Sequence, residues 1–162
     1  MADFEHQSVL LAEVLQYLSP RDGETICDAT LGGAGHSAAI LGAAKVRLIG
    51  VDRDPAALAA AGARLGDRAT THHGEFGDIA RILGETRVDG FLLDLGVSSP
   101  QLDHPERGFS FTREGPLDMR MDPTRGPTAL DLMMELEEPE LAEVLSELGE
   151  ERYARKIARM IK

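Results

Sequence analysis

The 162-residue chain contains one cysteine, Cys27, so no internal disulfide can form. Cys27 lies in a short apolar run, where a thiol serves as a small core residue rather than as a nucleophile. No window approaches the roughly 18 consecutive apolar residues that a membrane helix requires. The N-terminus also lacks the basic-then-apolar pattern of a signal peptide. A cytoplasmic protein with no membrane partner is therefore expected. His6, His36, His72, His73 and His104 show no metal-ligand spacing, and no cysteine–histidine zinc pattern exists, so no metal is expected. Basic excess is missing too: 17 Lys and Arg stand against 28 Asp and Glu, a net charge of −11. That balance argues against bulk electrostatic attraction to nucleic acid, and an RNA substrate would have to be held by local patches. The oligomeric state is not legible in the sequence, and no internal repeat is present.

What the chain does have is alternation. Val9, Leu10, Val14, Leu15 and Leu18 recur at helical spacing, which predicts an opening helix over Ser8 to Leu18 with Ser8 as its N-cap. Four short apolar runs follow: Thr25 to Asp28, Val46 to Asp52, Ala69 to His73 and Val88 to Leu95. Helix-patterned stretches, His36 to Ala43, Pro55 to Leu65 and Phe76 to Leu83, separate them. Strands and helices alternating at this spacing predict an α/β fold with a doubly wound parallel sheet. Gly96 to Pro127 is long, rich in glycine, proline and charge, and without periodicity, which points to a functional loop. Helical patterning returns over Thr128 to Met134, Pro139 to Leu148 and Glu150 to Lys162, with Gly149 as a stop signal between the last two.

The first strand runs into Asp28-Ala-Thr-Leu-Gly-Gly-Ala-Gly-His-Ser37. Glycines there let backbone approach a ligand, and the loop ends at a helix N-terminus. Gly33 to Ala38 also satisfies G-x-G-x-x-A, so a dinucleotide site, and with it an NAD-dependent oxidoreductase, is a competing reading. Asp52 ends the second strand 20 residues after Gly32, where a carboxylate can accept both hydroxyl hydrogens of a ribose. Charge separates the two ligands. A dinucleotide brings a pyrophosphate, whereas S-adenosylmethionine brings a sulfonium and an ammonium, which acids favour. Asp28 precedes the loop, Asp94 ends the fourth strand, and no Lys or Arg lies between Glu24 and Ile40. Phe76, just after the third strand, can pack on an adenine face or in the core. Ligands of open α/β sheets sit beyond the carboxyl ends of the strands, so Asp94 to Gln101 should line the cleft.

Arg107, Arg113, Arg120 and Arg125 punctuate the long loop, with Phe109 and Phe111 between them. Arginine with aromatics suits phosphates and unstacked bases, although Glu106, Glu114, Asp118 and Asp122 offer internal ion pairs instead. In the tail, Arg152, Arg155, Lys156, Arg159 and Lys162 share one helical face, opposite Tyr153, Ile157, Met160 and Ile161. That basic stripe is either a solvated face or a track for RNA phosphates.

Several long motifs in order make the chain resemble the RsmH (MraW) family of bacterial 16S rRNA (cytosine-N4) methyltransferases. They are His6 to Leu11, Asp28 to Ser37, Asp52-Arg-Asp-Pro55, Asp94-Leu-Gly-Val-Ser-Ser-Pro-Gln-Leu-Asp103, Glu106 to Phe111, Gly115 to Pro123 and Gly149 to Arg159. The resemblance implies a class I, Rossmann-like methyltransferase that uses S-adenosyl-L-methionine to make N4-methylcytidine in the decoding centre of 16S rRNA, with the small ribosomal subunit as partner. It implies cofactor contacts at Ala34, Gly35, His36, Asp52, Phe76, Asp94 and Gln101. The family loop commonly has glycine at the position of Ala34, a change that a backbone contact survives where φ is negative. Methylating an exocyclic amine calls for an acceptor of its hydrogens: Asp94 is the first candidate and Asp118 the second. Arg107, Phe109, Arg113 and Arg120 are the candidate substrate contacts. The implied organisation is the first strands of the methyltransferase domain over 1–103, an active-site loop over 104–127, and the start of an inserted helical domain over 128–162. Family members are roughly twice this length, so the sheet is expected to be incomplete, and a non-catalytic cofactor-binding fragment is a further reading.

Overall fold

The computed structural model describes residues 8–162. His6 and Gln7 of the opening motif lie outside the described residues. Two compact units are present, one ending at Ser99 and one running from Pro100 to Lys162.

The first unit is Rossmann-like. Its elements are α1 (Leu11–Leu18), β1 (Thr25–Asp28), α2 (Gly35–Ala43), β2 (Arg47–Asp52), α3 (Pro55–Leu65), β3 (Ala69–His73), α4 (Ile79–Leu83) and β4 (Gly90–Leu92). All strand pairs are parallel and the order is β3-β2-β1-β4. The chain steps outward from β1 to β3 and then returns to the far side of β1. The reversal opens a crevice at the carboxyl ends of β1 and β4, where ligands of such sheets bind. Side-chain alternation along each strand feeds two cores. Ile26 and Leu48 face α1, α2 and α3 with Leu31, Ile40 and Leu65. Cys27, Ile49 and Val51 face the other way, against Ile79, Ile82 and Leu83 of α4.

The helix ends follow local chemistry. Asp54 caps α3, its carboxylate accepting from the Ala56 amide at 2.9 Å, with Pro55 in the first turn. Ser8 is not the N-cap of α1: Leu10, in the left-handed region, precedes the helix, and no side chain caps it. Ser8 lies instead against Gly35, where any Cβ would collide with its hydroxyl.

β4 is shorter than the Val88 to Leu95 run. β1 ends at Asp28 and turns into the glycine loop, so the backbone past Leu92 has no ladder to join on that side. Its groups bond to the loop instead: Ala29 N–H donates to Leu92 O at 3.0 Å, and Asp94 N–H to Thr30 Oγ1 at 2.7 Å. Asp94 thus lies beyond the strand rather than at its end.

The second unit holds most of α5 (Ser99–Asp103), then α6 (Ala129–Glu135), α7 (Glu138–Glu147) and α8 (Ala154–Ile161). Thr128 and Asp131 form a capping box at α6. The Gly96 to Pro127 stretch is not wholly irregular, since α5 and a short 3-10 turn at Pro105–Arg107 fall within it. The tail helix starts at Ala154 rather than Glu150, because Glu150 takes a positive φ of 51° and the Glu151 carboxylate accepts from the Tyr153 amide. Its buried side chains are Ala154 and Ala158, with Leu141 and Ala142 of α7 in the same small core. On the face opposite the basic stripe, Tyr153 and Met160 are exposed at 61% and 77%. The α8 side of this core is made by small side chains, and Leu141 and Leu145 of α7 supply its bulk.

Candidate functional site

Asp28 ends β1 and is 1% exposed. Its carboxylate accepts from Ser37 Oγ at 2.6 Å and from the Thr30 amide at 3.2 Å. Burial pushes its pKa above the usual carboxylate range, while the bonds from Ser37 and Thr30 and the nearby His36 pull the other way. Thr30 uses its amide on Asp28 and its hydroxyl oxygen on the Asp94 amide, so one residue joins the ends of β1 and β4. Sequence reasoning alone gives Thr30 and Ser37 no role; the signal that could have found them is a hydroxyl toward each end of the loop motif.

Asp52 closes the other side of the loop. Its Oδ2 accepts from the Gly32 amide at 2.7 Å and its Oδ1 from the Asp54 amide at 2.8 Å. Each carboxylate oxygen has a second lone pair, so two acceptor sites remain for ribose hydroxyls after the loop has been fixed. Gly32 and Ala34 both take positive φ, 51° and 59°. The condition of a negative φ at Ala34 is therefore not met. Its conformation costs an L-residue about 1–2 kcal/mol, and its fully buried methyl offsets part of this in the Ile26–Ile40 core. Arg64 Nη1 reaches over to donate to Gly33 O at 3.3 Å.

His36 opens α2 and is 8% exposed. Its Nε2 lies 2.8 Å from Val9 O and its Nδ1 3.9 Å from Asp94 Oδ2. Phe76 sits in a 3-10 turn after β3 and is 47% exposed, so its ring is open to a ligand rather than committed to the core. Asp28 and Asp52 end β1 and β2, while the Ala34-Gly35-His36 segment, Phe76 and Asp94 follow β1, β3 and β4, so all are on the carboxyl side of the sheet, the acids after or at the ends of three neighbouring strands.

The remaining predicted residues belong to the second unit. Gln101 is buried in α5. Asp118 is held by Arg120 from three donors: Nε at 2.9 Å, Nη2 at 2.6 Å and the backbone amide at 2.9 Å. The Arg120 guanidinium lowers the Asp118 pKa to about 2, and a carboxylate so held is a weak proton acceptor. Arg107 donates to the carbonyls of Arg120 and Met121, Arg113 to that of Asp103 at 2.6 Å, and Arg120 also to that of Gly126. Arg125 pairs with Asp122 at 3.4 Å. The loop's cations brace its own backbone. Phe109 is half-buried, and Phe111 is fully exposed. In the tail, Arg159 pairs with Glu138 at 3.4 Å and Lys162 donates to Met134 O at 3.0 Å, while Arg152, Arg155 and Lys156 are exposed. Among the described residues, no group of acids, histidines and cysteine could hold a metal ion, and no helix is long and apolar enough to cross a membrane.

A family model described as the MraW methylase family matches residues 3–162. A protein of Myxococcus xanthus called ribosomal RNA small subunit methyltransferase H is 54% identical over 99% of this chain and 53% of its own length. One of the same name in Sorangium cellulosum is 55% identical over 98% of this chain and 52% of its own length. The chain therefore spans about half the length of the curated relatives it matches. Among solved structures, an rRNA methylase from Streptococcus thermophilus aligns with 53% of this chain and 50% of that one, at 23% identity and a TM-score of 0.43.

Proposed function

The chain belongs to the MraW methylase family, and on that footing we propose that it binds S-adenosyl-L-methionine and serves the methylation of a cytidine N4 amine in the decoding centre of 16S rRNA. The observation that carries this reading is the acid lining of the sheet's carboxyl edge. Asp28, Asp52 and Asp94 stand around the glycine loop, and the nearby cation Arg64 is turned onto the Gly33 carbonyl. A pyrophosphate there would face three carboxylates, whereas a ligand with a sulfonium, an ammonium and a ribose finds partners for all three.

The bound cofactor supplies an electrophilic methyl group. Asp52 holds the ribose, the backbone of Ala34 to His36 lines the amino-acid end, and Phe76 packs on the adenine. Resemblance assigns a further cofactor contact to Gln101. Asp94 would accept a hydrogen bond from the cytidine amine and then its proton, making available a lone pair that is otherwise delocalised into the base, so that the nitrogen could receive the methyl group that the cofactor would supply. Asp118, committed to Arg120, keeps the loop's shape rather than taking the proton. Arg107 and Arg120 act with it; Arg113, exposed although its Nη1 donates to the Asp103 carbonyl, and the aromatic pair Phe109 and Phe111 are the residues that meet RNA.

The test uses the full-length protein, small ribosomal subunits and isotopically labelled cofactor, with nucleoside mass spectrometry of the 16S rRNA. Label in N4-methylcytidine supports the reading, and label in another nucleoside overturns the cytidine assignment. Asp94→Ala should slow the transfer by about 10²–10⁴-fold; an unchanged rate would remove Asp94 from the chemistry.

A further inference from the structure

Met119 holds a backbone conformation that its side chain makes costly. Its φ of 60° lies in the left-handed region, where a side chain crowds the carbonyl that follows. Among the described residues, the other non-glycine positions with positive φ are Leu10, Ser19, Ala34 and Glu150, all at or just beyond helix ends. Met119 lies within the loop between α5 and α6, where the other positions with positive φ, Gly108 and Gly126, are glycines. Glycine would hold this φ without strain, so here a side chain is kept against the local preference. The surrounding bonds hold it there. The Met119 amide donates to Arg107 O at 3.1 Å, the Ala129 amide to Asp118 O at 2.7 Å and the Arg120 amide to Asp118 Oδ1 at 2.9 Å. The flanking Asp118 and Arg120 side chains close on each other and are half-buried, whereas Met119 is 46% exposed. Strain held this firmly and ending in an exposed apolar side chain points to a contact outside the loop.

We propose that Met119 packs on the face of an unstacked base of the RNA substrate. This rests on the rRNA reading above and adds to it a contact that carries no charge. A thioether is flexible, polarizable and uncharged, which suits a flat aromatic face and offers nothing to a phosphate. The loop's backbone places it beside the aromatic segment. A Cβ on Gly108 would lie 3.0 Å from the Met119 amide, so Met119 crosses the chain one residue before Phe109, with fully exposed Phe111 two residues further on. Apolar and aromatic side chains gathered in this way are what a base meets once it has left its stack. The arginine of the pair that flanks Met119 is spent on Asp118, so the apolar contact is the part of this turn that remains for a ligand.

The experiment measures binding of the full-length protein to small ribosomal subunits over a series of salt concentrations. Met119→Gly removes the side chain and relieves the strain. Its Tm should equal or exceed that of the wild type, while its affinity falls about tenfold at every salt concentration. The slope of log affinity against log salt should stay unchanged, because an apolar contact releases no counterions. Met119→Leu, which restores apolar bulk, should recover most of the affinity. The wild-type protein gives a reading that needs no substitution: bound subunits should protect Met119 from oxidation by peroxide, followed by mass spectrometry of the peptide. Wild-type affinity in Met119→Gly, or Met119 oxidised equally with and without subunits, overturns the proposal and leaves the function reading intact. A lower Tm or a shallower slope in Met119→Gly would assign the side chain to the loop's own packing, and also overturns it. Failure of the wild-type protein to bind the subunits overturns the rRNA reading and the proposal together.

Discussion

Asp28 is 1% exposed and keeps two donors, the Ser37 hydroxyl and the Thr30 amide. Burial nevertheless raises its pKa in the folded chain. A carboxyl whose folded value lies above its unfolded value contributes stability that is complete below the usual carboxylate range. That contribution is lost as pH rises through the folded value. At neutral pH the charge at Asp28 therefore works against folding, a cost that a bound cationic ligand would offset. Asp28→Asn keeps the shape and lets the Ser37 hydroxyl turn to donate to or accept from the amide. It should raise unfolding stability at pH 7 by about 1 kcal/mol, with the gain shrinking in acid, and weaken S-adenosylmethionine binding at least tenfold. Thermal unfolding at pH 4 and pH 7 checks the sign. A lower Tm for the variant at neutral pH would mean that the two hydrogen bonds outweigh the burial of charge.

At the scale of elements, the loop between α5 and α6 is held by close backbone crossings as well as by its arginines. Gly108 has φ 79°, and a Cβ there would lie 2.6 Å from Pro116 O and 2.8 Å from the Asp118 amide. Gly115 likewise leaves no room against Pro105 O. Gly108→Ala should cost at least about 2 kcal/mol and expose the loop to protease, and unchanged proteolysis would contradict the braced loop. The sequence pattern does not disclose such crossings, since glycine and proline signal turns without naming the backbone they meet. Strands and helices of the first unit are legible because their periodicity and caps are local: β1 and β3 fall where the apolar runs end, and α3 where Asp54-Pro55 predicts. The apolar run overstates β4 because the strand's length is set by where β1 turns away, a non-local fact. Among candidate site residues, Asp52 and Asp94 are proposed from spacing, whereas the Thr30 bridge and the contact between His36 and the Val9 carbonyl depend on the fold. For the loop arginines the sequence offers both RNA contacts and internal ion pairs: Asp118 and Asp122 stand two and three residues from the arginines they pair with, whereas the carbonyls that Arg107 and Arg113 reach are about 10–14 residues away and carry no signal in the sequence.

For the whole molecule, charge is the governing quantity. A net charge of −11 opposes RNA, so on the proposed reading affinity rests on few cations; all five of the tail stripe are exposed, and of these Arg159 is engaged by Glu138 and Lys162 by the Met134 carbonyl. Replacing Arg152, Arg155 and Lys156 by Glu should lower the slope of log affinity against log salt by about 2, at roughly 0.7 for each single-strand phosphate that is no longer neutralised. An unchanged slope would make the stripe a solvated face. The central claim, that the acid-lined loop at the β1–β4 crevice is a seat for S-adenosylmethionine, is tested most directly by calorimetric titration of this chain with S-adenosylmethionine and, separately, NAD. The account predicts saturable one-to-one binding of S-adenosylmethionine and none of NAD. Binding of NAD in preference would contradict it.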